Sequence, residues 1–142
     1  MLAVKTRIGK SKIHGIGLFA CNPIRKGTAV WNFTPGLDLA VSQQMIARMN
    51  VELREFFHHY GYLSAKSGRY VLHADNARFI NHSTNANLQS VPSMGEEEEI
   101  DVAARDIPAG EELTADYWQF DLDAPLKLES KPREAPPLPQ AA

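Results

Sequence analysis

Between residues 4 and 117 the apolar positions come in short bursts broken by glycine, proline and polar pairs, a pattern that predicts strands rather than helices. Residues 4–8 alternate weakly. Gly15-Ile16-Gly17 marks a turn, and Leu18-Phe19-Ala20 resumes the apolar run. Pro23 and Gly27 bracket a second turn leading into Val30-Trp31-Asn32-Phe33. Strand-like runs return at residues 69–73, 87–91, 100–104 and 112–114. Residues 42–60 differ: Met45, Ile46, Met49, Leu53, Phe56 and Phe57 follow an i, i+3, i+4 rhythm that predicts one principal helix, capped by Ser42 or Asp38. Glu96 to Glu99 fall between two strand runs and read as an exposed loop.

Two stretches echo one another. Residues 24–30 and 107–113 share the pattern Ile-x-x-Gly-x-x-aliphatic, which predicts two similar turn-to-strand units packed together. After Phe120 the character changes. Pro125, Pro132, Pro136, Pro137 and Pro139 interrupt a charged stretch, so residues 123–142 read as an extended or disordered tail behind a domain of residues 1–122.

Composition narrows the function. The 142 residues, 44% of them hydrophobic, fit one globular domain. Fifteen Lys and Arg against 17 Asp and Glu leave a net charge of −2, which argues against duplex nucleic acid as a partner. Cys21 stands alone, so neither a disulfide framework nor a Cys-rich zinc module is expected. No apolar run approaches the roughly 20 residues of a membrane span. The opening residues lack the order of a secretory signal, which predicts an intracellular, cytoplasmic protein. On that reading the glycosylation pattern Asn81-His82-Ser83 is incidental.

Three segments carry candidate chemistry: His14-Gly15-Ile16-Gly17-Leu18-Phe19-Ala20, Arg78-Phe79-Ile80-Asn81-His82-Ser83 with Thr84-Asn85-Ala86-Asn87 behind it, and Gly110-Glu111-Glu112-Leu113-Thr114-Ala115-Asp116-Tyr117. Lacking Cβ atoms, Gly15 and Gly17 let backbone approach a ligand closely, or simply form a turn. Asn81 offers a donor and an acceptor to a zwitterion, or caps a turn. Taken together and in this order, the segments resemble the SET-domain family of protein lysine methyltransferases over residues 5–117.

The resemblance implies a mainly β fold of small sheets with one principal helix and a knot-like C-terminal threading near Asn81. It also implies methyl transfer from S-adenosylmethionine to a lysine amine by direct displacement, without a metal. Gly15, Ile16, Gly17, Arg78, Asn81, His82 and Tyr117 would hold the cofactor, His82 mainly through its backbone. Tyr117 would be catalytic, orienting the amine. Tyr60, Ala115, Trp118 and Phe120 would line the lysine channel, with Tyr62 and Tyr70 as further aromatic candidates. The expected partner is a protein with an exposed lysine in a basic segment, drawn in part by residues 96–99.

The chain also departs from the family. Thr84 and Ala86 stand where many members have cysteine and proline, and the Cys-rich flanks are absent. Ala115 leaves room where many members crowd the amine with an aromatic ring, so the number of methyl groups added stays open. On this resemblance the expectation is a minimal member of the kind seen in bacteria and viruses, with a homodimer completing the site as one option. A catalytically weak module gripping lysine-bearing tails is the alternative. A metal enzyme built on His58, His59, His73 and Asp75 is weaker still, because adjacent helical histidines diverge.

Overall fold

Ten short strands and three short helices order the described residues, 1–129, of the computed structural model. The glycine and proline punctuation produces four small sheets. In the first, β1 (Thr6–Lys10) runs antiparallel to β2 (Ile16–Ala20) across the Gly15 turn. The free edge of β2 then meets residues 110–113: Leu113 N donates to Leu18 O at 2.7 Å, and Ala20 N to Glu111 O at 3.0 Å.

A second sheet orders β3 (Ala29–Trp31), β9 (Ile100–Ala103) and β8 (Leu88–Val91), with β9 central. A third orders β4 (Leu39–Val41), β6 (Tyr70–Leu72) and β5 (Tyr62–Leu63). The smallest joins β7 (Asn81–His82) in parallel to β10 (Thr114–Ala115), bringing two motifs distant in sequence side by side. The two echoing segments do pack together: Ile24 and Ile107 exchange backbone hydrogen bonds of 2.8 Å each way.

Burial takes consecutive residues of the short inner strands, as at Val30 and Trp31 and at Tyr70, Val71 and Leu72. Leu18, Val30, Trp31, Val71, Ile107 and Leu113 meet in one core with almost no exposure. Each aliphatic side chain so enclosed is worth roughly 1.5–3 kcal/mol. A smaller core of Ile46, Phe57, Leu63, Tyr70 and Leu72 sits under the helices.

The single predicted helix is two: α1 (Gln43–Arg48) and α2 (Val51–Tyr60). The apolar rhythm runs through the junction, but two capping side chains compete with it. Ser42 Oγ accepts from Met45 N at 3.1 Å, and Asn50 Oδ1 from Leu53 N at 2.9 Å, so the chain restarts at Asn50. Asp38 caps no helix. It is buried, paired with the Met1 ammonium at 2.8 Å, and accepts from Thr34 N and Ala74 N.

Two further expectations change. Glu98 is no surface residue but 2% exposed, its Oε2 accepting from Ser64 Oγ at 2.6 Å. Lys66 Nζ holds the loop from behind, on the carbonyls of Glu96 and Glu98. Within the segment read as tail, Ala124–Leu128 form a helix, α3, because Pro125 sits in the first turn, where its missing N–H costs nothing. Residues 130–142 of that expectation lie outside the described residues.

Candidate active site

The three motifs converge at Asn81. Its Nδ2 donates to the carbonyls of His14 (3.0 Å) and Ile16 (3.1 Å) and to Glu112 Oε1 (2.9 Å), tying the glycine turn to the third motif. Ser11 Oγ donates to the same Glu112 carboxylate at 2.8 Å. Gly17 is glycine because of this knot: a Cβ there would lie 2.3 Å from Glu112 Oε1. Gly15 is glycine for another reason, its φ of +49°, and a Cβ there would meet nothing within 4 Å. The expected close approach is therefore real at Gly17, but the group approaching is the protein's own carboxylate.

Asn87 makes the second staple. It is 1% exposed and fully used: Nδ2 donates to Glu111 Oε2 (2.8 Å) and Glu112 O (2.7 Å), while Oδ1 accepts from Thr114 N (2.8 Å). Neither Glu112 nor Asn87 was assigned a role from sequence. Glu111 and Glu112 are adjacent but serve different partners, Asn87 for the first and Asn81 with Ser11 for the second.

Tyr117 follows β10 at the start of a 3-10 turn, Tyr117–Gln119, whose first free N–H, that of Trp118, is capped by Asp116 Oδ1 at 3.2 Å. The Tyr117 hydroxyl donates to Ile80 O, and its backbone N–H donates to His82 Nδ1 at 3.2 Å. So the His82 imidazole has a task of its own: it accepts a hydrogen bond and fixes the Tyr117 backbone. Burial, with a smaller push from the Asp121 charge, drives the Tyr117 pKa up, keeping it a neutral phenol.

A cleft of about 70 Å³ opens beside this tyrosine, room for a few waters or one side-chain tip. Tyr60, Ala115, Phe120 and Arg78 line it together with Tyr117, as does Tyr62. Phe120 meets the Tyr117 ring edge-on at 5.8 Å and the Tyr62 ring at 5.1 Å, making one aromatic wall. Arg78 lies over Tyr60 (5.8 Å) and Phe79 (5.2 Å), and no carboxylate among the described residues pairs with it.

Trp118 is not part of this wall. It is 50% exposed, because successive side chains of a 3-10 turn diverge by about a third of a turn. Tyr70 also lies elsewhere, in the smaller core, donating to Asp123 Oδ2 at 2.7 Å. In place of Trp118 the cleft receives Lys127 from α3. Its ammonium donates to Asp121 Oδ2 at 2.5 Å and Gly61 O at 2.6 Å, 5.9 Å from the Tyr117 ring centre.

The histidine and aspartate set of the metal reading is scattered. Asp75 spends its carboxylate on Leu2 N (2.6 Å) and Ala77 N (3.0 Å). His73 packs edge-on against Trp31 at 4.6 Å, and burial lowers its pKa to about 4. Among the described residues no three His, Cys, Asp or Glu side chains converge as a metal site would require. No helix among them is long and apolar enough to cross a membrane.

Comparison with known proteins agrees with the motif geometry. The family model described as the SET domain matches residues 15–118. Histone-lysine N-methyltransferase ATX2 of Arabidopsis thaliana is 33% identical over 132 residues, covering 83% of this chain and 11% of that protein. Histone-lysine N-methyltransferase 2D of Homo sapiens is 30% identical over 122 residues, covering 82% of this chain and 2% of its own length. The chain thus spans a small part of these relatives. Among solved structures, Chaetomium thermophilum Polycomb Repressive Complex 2 bound to GSK126 superposes with a TM-score of 0.67 at 27% identity, over 89% of this chain and 17% of that one. The structure titled ctPRC2 in an autoinhibited conformation bound to S-adenosylmethionine gives a TM-score of 0.63 at 27% identity, over the same shares of the two chains.

Proposed function

The chain belongs to the SET-domain family, and from that premise we propose that it methylates lysine side chains of proteins with S-adenosylmethionine as methyl donor. The observation that carries the reading is the convergence at Asn81: one side chain joins the glycine turn to the strand that delivers Tyr117 to its cleft. The two curated relatives named above are histone-lysine methyltransferases, so a histone-like protein with an exposed lysine is the first substrate to try.

The residues present fit the cofactor. Its carboxylate calls for a cation, and Arg78 has no carboxylate partner among the described residues. Its bulk calls for open backbone, and at Gly15 no protein atom fills the space a Cβ would face. The Asn81 donor is occupied within the protein, which leaves its Oδ1 and the local main chain for the zwitterion. When bound, the cofactor supplies a methyl group already activated by its sulfonium.

What remains for the protein is positioning and charge. Tyr117 gives its proton to Ile80 O, so its oxygen keeps lone pairs that accept from an incoming amine N–H and aim the amine lone pair. The ring faces of Tyr117, Phe120 and Tyr62 exclude water and favour an alkylammonium. Ala115, 6% exposed, adds little bulk to that wall.

Incubation with S-adenosylmethionine and core histones tests the proposal, with mass spectrometry locating the product. Methyl groups on lysine, absent without the cofactor, are the expected result. Cofactor binding without any methyl product on histones or other basic proteins would count against it.

A further inference from the structure

Beyond Tyr117 the cleft turns acidic. Glu98, Glu99, Asp101 and Asp121 all line it. Among the described residues the lysine and arginine lining it are Lys127, which is committed to Asp121 and Gly61 O, and Arg78, which lies over two aromatic rings. Asp101 takes a hydrogen bond from Ser90 Oγ at 2.8 Å. Glu98 is different. One oxygen takes the Ser64 hydroxyl at 2.6 Å; the other, Oε1, is buried and has no hydrogen-bond partner among the described residues.

A buried carboxylate oxygen without a donor is costly, so this atom calls for a partner. Packing does not explain it, since the loop that carries Glu98 is already secured by Ser64 and by Lys66 on the backbone. A metal ion does not explain it either, because no three metal-binding side chains converge among the described residues. The missing partner is thus a donor that needs few contacts and enters through the cleft. The same cleft is lined by the Tyr117, Phe120 and Tyr62 rings, which meet at 5.8 and 5.1 Å. An extended peptide places side chains two residues apart on one face, about 7 Å from each other.

We propose that Glu98 is a specificity determinant that receives the guanidinium or ammonium of a second basic residue close in sequence to the target lysine. The proposal rests on the methyltransferase reading above. Asp101 in the same cleft is consistent with this: burial first, and the Glu99 charge after it, raise its carboxyl to about 6.

The test uses the full chain with labelled S-adenosylmethionine and peptides containing a single lysine. Each flanking position within three residues carries arginine in one peptide and glutamine in its twin. The wild type should prefer arginine at one position by about tenfold or more in kcat/KM. In Glu98→Gln, which can still accept the Ser64 hydrogen bond, that ratio should fall towards one. Glu97→Gln, on the exposed part of the same loop and paired with Arg69 at 3.3 Å, should keep it. Should Glu98→Gln fold poorly, Ser64→Ala, which frees the carboxylate to swing, should lower the ratio in part. No arginine preference at any position, or one that Glu98→Gln leaves intact, overturns the second cation site alone. No transfer to any lysine peptide overturns the methyltransferase reading and this proposal with it.

Discussion

His82 Nδ1 accepts the backbone N–H of Tyr117 at 3.2 Å, so the imidazole of the second motif sets the position of the tyrosine in the third. The parallel pairing of β7 with β10 brings the two residues together, and the Tyr117 hydroxyl closes a second link to Ile80, one residue before β7.

This predicts a positional effect that a purely structural histidine would not produce. His82→Ala should lower kcat by about tenfold to a hundredfold, since small misplacements of a catalytic group cost that much. His82→Asn, whose Oδ1 can replace Nδ1 as acceptor, should recover most of the loss. Melting temperatures of the two variants should be similar. If both variants lose kcat equally, the hydrogen bond is not what matters.

Gly17 and Glu112 make a second coupled pair. Gly17→Ala puts a methyl group 2.3 Å from Glu112 Oε1, forcing the carboxylate away from Asn81 and Ser11. Affinity for S-adenosylmethionine should fall about tenfold or more by calorimetry. In the background of Glu112→Ala the same glycine change should cost much less, because the clash is gone. A double-mutant cycle measures this non-additivity; simple additivity would refute the steric account.

These couplings mark the limit of what the sequence displayed. The strands were legible because short apolar runs and glycine turns have few other readings, and the Ile24 and Ile107 echo showed which turns would meet. The break at Asn50 was hidden, since the apolar rhythm crosses it and only the cap reveals the restart. Two-residue strands such as β7 and β10 leave no periodicity to read. Of the site, Tyr117, Tyr60, Ala115, Phe120 and Arg78 do share one cleft, whereas Trp118 turns outward. Glu98 was masked by its neighbours: in a run of four glutamates, nothing local says which one faces inward.

His73 supplies a pH test of the core. Its folded pKa lies near 4, below the ordinary 6.5, because burial disfavours the imidazolium. Between these values the unfolded chain binds the proton and the folded chain does not, so this group's contribution to stability falls as pH drops from about 6.5 towards 4. Asp101, raised to about 6, works in the opposite sense: its contribution improves as pH falls from 6 towards 3.8. The informative quantity is therefore the wild type minus His73→Gln. The wild type should lose of order 2 kcal/mol relative to the variant between pH 7 and pH 4.5, somewhat under the full shift because pH 4.5 stops short of the folded pKa near 4. Parallel curves would show that His73 does not titrate differently on folding.

Lys127 predicts the standing of α3. Its ammonium is the cation on Asp121, a side chain 1% exposed that also takes Leu63 N at 3.0 Å and Asp123 N at 2.9 Å. Lys127→Met strands a buried carboxylate and should cost about 3 kcal/mol in urea unfolding. Replacing Asp121 by asparagine in that background should restore part of it. A loss below about 0.5 kcal/mol would mean that the pair behaves like a surface ion pair.

The most direct measurement is labelled methyl transfer to core histones by the wild type and by Tyr117→Phe, with cofactor affinity measured on both. The wild type should label lysine, and the variant, deprived of the oxygen that aims the amine, should transfer at least about a hundredfold more slowly while still binding S-adenosylmethionine. Transfer by Tyr117→Phe at the wild-type rate would contradict the role given to this tyrosine, and a wild type that binds the cofactor but labels no lysine would contradict the function itself.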